Sequence, residues 1–163
     1  MHGKSIFIYL VLLFCAASQV NFTQQVNTPL EDISKEAELI LTGKVTQQTS
    51  DWNKDKSRIY TVANIQVEEY IKGNAAGNTV SIKYLGGEVG EVGEIYSHMP
   101  RFKDNEVVLV FLKKENNGND YKVFNGEDGK ISLIIDPKTG ELVTSSNIRV
   151  SALKTQIKNY IND

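Results

Sequence analysis

Three groups of residues in this 163-residue chain have types and spacings that could do chemistry. Glu88, Glu91 and Glu94 recur at every third position within a run that also holds Gly86, Gly87, Gly90 and Gly93. Two carboxylates held across a cleft can hydrolyse a glycoside, but the separation must be fixed, and glycine spacing works against that. Tyr96, His98, Met99, Pro100 and Phe102 follow directly and add aromatic and apolar surface. A connection of this length with its own glycine code suits recognition. It also suits a hairpin or bulge that closes a barrel, with Met99 and Phe102 simply packing. The second group is Asp51, Asn53, Asp55 and Ser57, oxygen-bearing side chains at alternate positions, the pattern with which a loop wraps calcium. Lys56 stands where such a loop needs glycine, Val62 stands where it needs glutamate, and the flanks read as strands. A hairpin turn rich in turn formers explains the same residues. The third is Trp52 in that turn, either packed over a barrel mouth or exposed as a binding anchor.

Other catalytic chemistries find little material. The chain has two histidines, His2 and His98, and one cysteine, Cys15. A Ser-His-Asp arrangement would rest on His98 alone, and no Gly-x-Ser-x-Gly turn occurs. A zinc site takes three or four Cys, His or carboxylate ligands. The expectation is a non-enzymatic protein with no cofactor, calcium at residues 51–57 being the one candidate. A hydrolase using the loop carboxylates is an alternative reading.

These residues need a scaffold, and the hydrophobic pattern supplies one. Pro29 to Glu36 reads as a short helix with Thr28 as cap, Pro29 at its first position, and Leu30, Ile33 and Ala37 on one face. Strands are expected over Ala37–Thr49, Ile59–Ile71, Thr79–Leu85, Val107–Leu112, Tyr121–Phe124, Lys130–Ile135 and Glu141–Thr144. In the second, Ile59, Thr61, Ala63, Ile65 and Val67 alternate with Tyr60, Val62, Asn64, Gln66 and Glu68. The unbroken apolar run Val107–Leu112 reads as a buried central strand. Tyr121–Phe124 and Lys130–Ile135 flank Gly126-Glu127-Asp128-Gly129 and read as a hairpin. Val150–Ile161 closes the chain as an amphipathic helix carrying Leu153, Ile157, Tyr160 and Ile161. The fold expected is mainly β: a small OB-like barrel, closed or partly open, between a short N-terminal helix and a C-terminal amphipathic helix.

The N-terminus orders Lys4, an apolar run from Ile6 to Ala17, and the small residues Ala16, Ala17 and Ser18, which is the signal-peptide pattern. The run is shorter than the roughly 20 residues a spanning helix needs. Cleavage is expected between Ser18 and Gln19, giving residues 1–18 as signal peptide, 19–28 as a flexible leader and 29–163 as one domain. An uncleaved anchor and acylation at Cys15 are the competing readings; Phe14 sits where a lipobox wants a small residue. Cleavage removes Cys15 and His2, so the mature chain has no disulfide and must fold on its core. A mature length of about 145 residues suits one domain. The destination is secreted, periplasmic or cell envelope. Net charge is −2 and the basic residues are dispersed, which argues against nucleic acid. A monomer with no membrane span after cleavage is expected.

Four stretches carry a resemblance: PLEDISKEAELILTG (29–43), IYTVANIQVEEYIKG (59–73), LGGEVGEVGEIYSHMPRF (85–102) and EVVLVFL (106–112). Together they resemble a family of bacterial secreted domains that is similar to the OB-fold, netrin-like module of tissue inhibitors of metalloproteinases. The resemblance implies a barrel. Those inhibitors dock the protease zinc through an N-terminal cysteine, which a chain starting near Gln19 lacks, so that chemistry transfers to no residue here. The expected function is recognition of a protein or peptide through residues 86–102, with Glu88, Glu91, Glu94, Tyr96, His98, Met99, Phe102 and Trp52 as candidate contacts. The alternative is protease inhibition by loop insertion without a cysteine.

Overall fold

The computed structural model describes residues 29–115 and 120–163. The expected signal peptide, the leader, Thr28 and Cys15 lie outside the described residues. The chain runs α1 (Leu30–Glu36), β1 (Leu39–Trp52), β2 (Ile59–Lys72), β3 (Thr79–Leu85), β4 (Gly87–Val89), β5 (Val92–Glu94), β6 (Val107–Lys114), β7 (Tyr121–Val123), a 3-10 turn (Gly126–Gly129), β8 (Lys130–Ile135), β9 (Leu142–Thr144) and α2 (Val150–Asn162). Strands β1, β2, β3, β7 and β6 form a closed five-stranded barrel. Closure comes from β1 pairing with β6, and β3 meets β7 in parallel at Ile82 and Tyr121. Closing the sheet leaves these strands no long free edge.

Two cores explain two sequence patterns. Leu39, Leu41, Val45, Ala63, Ile65, Val80, Ile82, Val108, Val110 and Leu112 fill the barrel. Strand β2 has only one face inside, so it alternates: Ile59, Thr61, Ala63 and Ile65 are buried and their neighbours are less so. The first five residues of β1 and most of β6 are covered on both faces. Their outward residues Ile40, Leu109 and Phe111 meet Ile33 and Ala37 at α1 and Val150, Leu153 and Ile157 of α2. That second core, between barrel and helices, is why residues 107–112 are apolar without a break.

Polar contacts fasten the helices. Lys72 Nζ donates to the Ser34 and Lys35 carbonyls at 3.0 and 2.7 Å, satisfying C-terminal groups of α1. Lys154 Nζ donates to Glu69 Oε2 at 2.6 Å and ties α2 to β2. Among the described residues no helix is long and apolar enough to cross a membrane.

Two sequence expectations change. β1 runs on to Trp52, whose partner is Ile59, so Asp51 and Trp52 belong to the strand and the turn is shorter. Residues 121–124 and 130–135 do not pair as a hairpin. Both lie against β6, β7 on Leu112–Lys114 and β8 on Val107–Val110, with the 3-10 turn stepping between them. One long buried strand serving two short ones places them end to end. Residues 86–102, which suited either a recognition loop or a closing hairpin, begin with the antiparallel hairpin β4–β5.

Candidate functional site

The β4–β5 hairpin is an arm standing on the end of the barrel. Its turn is Gly90-Glu91, two residues with φ +63 at Gly90 and no positive φ at Glu91, the II′ form that matches strand twist. β4 packs beside β1 and β2, while β5 pairs only with β4 among the described residues. The close approach at the base requires glycine. Gly87 has φ +137, and a Cβ there would collide with Thr61 Oγ1 and Ser50 Oγ.

The base is hydrogen-bonded to the barrel on two sides. On one, the buried Thr61 hydroxyl donates to the Gly86 carbonyl at 2.6 Å, with the Ser50 hydroxyl 2.8 Å away. On the other, Arg58 Nη1 donates to Tyr96 Oη at 2.7 Å, and Tyr96 Oη donates to Glu94 Oε2 at 2.8 Å. The same carboxylate oxygen accepts the Ile59 backbone N–H at 2.9 Å. The Ile59 N–H, then the Tyr96 hydroxyl, and then the charge of Arg58 hold Glu94 below its ordinary pKa. Glu94 and Tyr96 therefore work as fasteners. Tyr96→Phe removes the hydroxyl that links Arg58 to Glu94, at a local cost of about 1 kcal/mol. Backbone amide exchange across residues 87–95 should then quicken several-fold while β6 stays protected. Equal exchange in both proteins would show that the arm is held some other way.

Beside the arm lies a pocket of about 480 Å³. Ser50, Thr61 and Gln48 supply hydroxyl and amide groups, Tyr84, Met99 and Phe102 supply apolar wall, and Glu88, Gly93 and Ile95 of the arm form one side. Tyr84 Oη donates to Gln48 Oε1 at 2.9 Å, and burial raises the Tyr84 pKa, so the phenol stays a neutral donor. The pocket falls within the 300–1,000 Å³ typical of ligand sites.

The pocket brings Met99 and Phe102 together with Glu88, Glu94 and Tyr96, and the remaining candidates lie outside it. Phe102 is 6% exposed and plugs the barrel core, its ring 5.6 Å from that of Tyr84. Met99 is half-buried in the pocket wall. His98 is exposed with φ +62, and its Nδ1 lies 3.6 Å from Glu127 Oε1. Glu88 and Glu91 are exposed and form no ion pair among the described residues. Trp52 is half-buried at the last position of β1, paired with Ile59, and does not line the pocket. In the 51–57 turn the side-chain oxygens serve the backbone. Asn53 Oδ1 accepts from the N–H groups of Ser57 and Arg58, Asp55 Oδ1 from Ser57, and Asp51 Oδ1 from Trp52. The Ser57 hydroxyl and N–H also hold Asp55 below its ordinary pKa. Among the described residues no three His, Cys, Asp or Glu side chains gather as a metal site.

Sequence reasoning missed Arg58, Ser50 and Thr61, which anchor the arm. Thr61 was the one polar residue on the apolar face of β2, and that mismatch was the available signal. The class these features define is a closed β-barrel bearing a fastened hairpin arm beside a pocket. No protein-family model matches the chain, and no curated protein matches it.

Proposed function

We propose that the protein is an exported, non-enzymatic recognition module that binds a partner protein with the β4–β5 arm. The observation that carries this reading is the contrast between the arm's base and its surface. The base is hydrogen-bonded to the barrel, yet Val92 and Ile95 stand 48% and 73% exposed on an arm that also exposes Glu88 and Glu91. A rigid projection with apolar side chains in a polar rim has little ordering entropy left to lose on binding. The resemblance to exported barrel domains points the same way.

A photoreactive residue substituted for exposed Glu91 tests it in cells of the native host, with one at Lys138 in the β8–β9 turn as control. Adducts to a defined protein are expected from position 91, not from 138, and Ile95→Ser should abolish most of them. The same adducts from both positions, or adducts indifferent to Ile95→Ser, would sink the reading. The rigid hairpin also fits the second reading, insertion into a protease cleft. There, micromolar protein should inhibit metalloproteases encoded near its gene, and the absence of inhibition retires it.

A further inference from the structure

We infer that β5 is a pairing edge for an extended segment of the partner, and that this segment carries a lysine or arginine opposite Gly93. The inference rests on the arm being a protein-recognition element and specifies what that element reads.

Gly93 is the starting point because the fold gives no reason for it. Its φ is not positive, and a Cβ there would meet only Glu88 Cγ at 3.4 Å and the Gly87 carbonyl at 3.9 Å, ordinary contacts. A glycine inside a strand that neither turns the chain nor relieves a clash commonly marks close approach by another backbone.

The hydrogen-bond pattern shows where that backbone would lie. A two-residue turn makes Val89–Val92 the hydrogen-bonded pair, so Glu88 and Gly93 form the next, non-bonded pair. The Gly93 N–H and C=O therefore point away from β4, toward the side where no described strand pairs with β5. Addition of an extended segment to such an edge is a general recognition mode, in which backbone bonds give affinity and alternate side chains give selectivity.

Geometry and charge then select the side chain. The incoming residue that pairs with Gly93 shares its face with Glu88, two strands away. Strands are spaced about 4.8 Å apart, so roughly 10 Å separates the two backbones. No side chain stands between them, because position 93 has none. Only a long side chain crosses that gap, and what it meets is the Glu88 carboxylate at the rim of the pocket. Residues 86–95 hold three glutamates and no lysine or arginine. Glu94 is engaged at the base, which leaves Glu88 and Glu91 for a cation.

The probes are short acetylated peptides of alternating valine and threonine, titrated into the purified protein and followed by amide chemical shifts. One has a central lysine, one a central glutamate, and a third repeats the lysine peptide with N-methyl groups on alternate backbone nitrogens. The lysine peptide should shift the amides of residues 92–95. The glutamate peptide should bind about tenfold more weakly, since an attraction becomes a like-charge contact. The N-methylated peptide should also lose about tenfold, since it cannot donate to the edge. Gly93→Val, which places branched bulk in the path, should weaken the lysine peptide similarly. Glu88→Gln, at an exposed position with no ion pair among the described residues, should erase the preference for lysine over glutamate. Equal binding of the lysine and glutamate peptides, undiminished binding of the N-methylated one, or no binding at millimolar peptide would each overturn the inference. If the peptides fail while the position-91 adducts persist, strand pairing falls and the recognition arm stands. If both fail, the arm falls as well.

Discussion

Gly43→Ala is expected to lower the urea midpoint of unfolding by about 1–2 M, the equivalent of about 3 kcal/mol at a typical slope for a domain of this size. Gly43 sits in the buried part of β1, between Val67 of β2 and Val108 of β6. A Cβ there would overlap the Gln66 carbonyl oxygen and come within 2.6 Å of Ile65 Cγ2 and 3.1 Å of the Gln66 carbonyl carbon. Two of these three atoms are backbone in the facing ladder. The residue cannot be accommodated by rotating a side chain; β2 must move away, and the β1–β2 register already shifts between Thr42 and Gly43. Alanine also stiffens the unfolded chain, which favours folding by about 0.4–1 kcal/mol. That gain is smaller than the clash, so the net sign is loss. A midpoint within about 0.3 M of wild type would mean that the strands relax apart at little cost. Gly93→Ala is the internal control, because a Cβ there makes only ordinary contacts.

How much of this was legible in the sequence depends on the range of the interaction. The alternation from Ile59 to Ile65 named the inward face of β2, because a period of two needs no knowledge of the partner strand. The apolar run 107–112 announced a strand covered on both faces. It did not say that one face meets the barrel interior and the other the helices, since that division is made by Ile33, Leu153 and Ile157 from both ends of the chain. The order of β7 and β8 was misread for a related reason. Gly126-Glu127-Asp128-Gly129 has the composition of a hairpin turn, and only the length of β6 reveals that both strands lie along it. The candidate site behaved likewise. Its glycines and glutamates were visible as a group, and a hairpin was one of the two structures they suited. That Glu94 fastens the arm while Glu88 stays free depends on Ile59 and Tyr96, and the link from Arg58 to Tyr96 spans 38 positions. Periodicity carries no information about such pairings.

The same limit hid the ion pair that governs the second large effect. Glu106 precedes β6 and Lys130 begins β8; their side chains are 12% and 11% exposed, with Nζ 2.7 Å from Oε1. Ser132 Oγ donates to the same oxygen at 2.5 Å, and the Lys103 N–H donates to Oε2 at 2.9 Å. Lys130 also lies over the Phe102 ring, 5.3 Å from its centre, so the pair sits where the segment 96–102 rejoins the barrel. Lys130→Met is expected to cost about 3–5 kcal/mol, because it strands a carboxylate in a site with little water. Adding Glu106→Leu to that variant should restore most of the loss, since an apolar pair avoids the desolvation that both charges suffer. The pH dependence separates this account from simple loss of packing. Burial pushes the Glu106 pKa up, but the hydrogen bonds from Lys130, Ser132 and the Lys103 backbone outweigh it and leave the carboxyl below its ordinary 4.5. A carboxyl depressed on folding contributes stability that is complete above the unfolded pKa and is lost as pH falls through the folded one. The wild type should therefore weaken as pH drops below about 4.5, and the double variant should lose less over the same interval. Denaturation midpoints measured from pH 6 to pH 3 check this directly. If the single variant is as stable as wild type at pH 6, the pair is solvated and the account fails. If the two pH slopes coincide, the acid sensitivity belongs to Asp55, Glu69, Glu94 or Asp136, which are also held below their ordinary values.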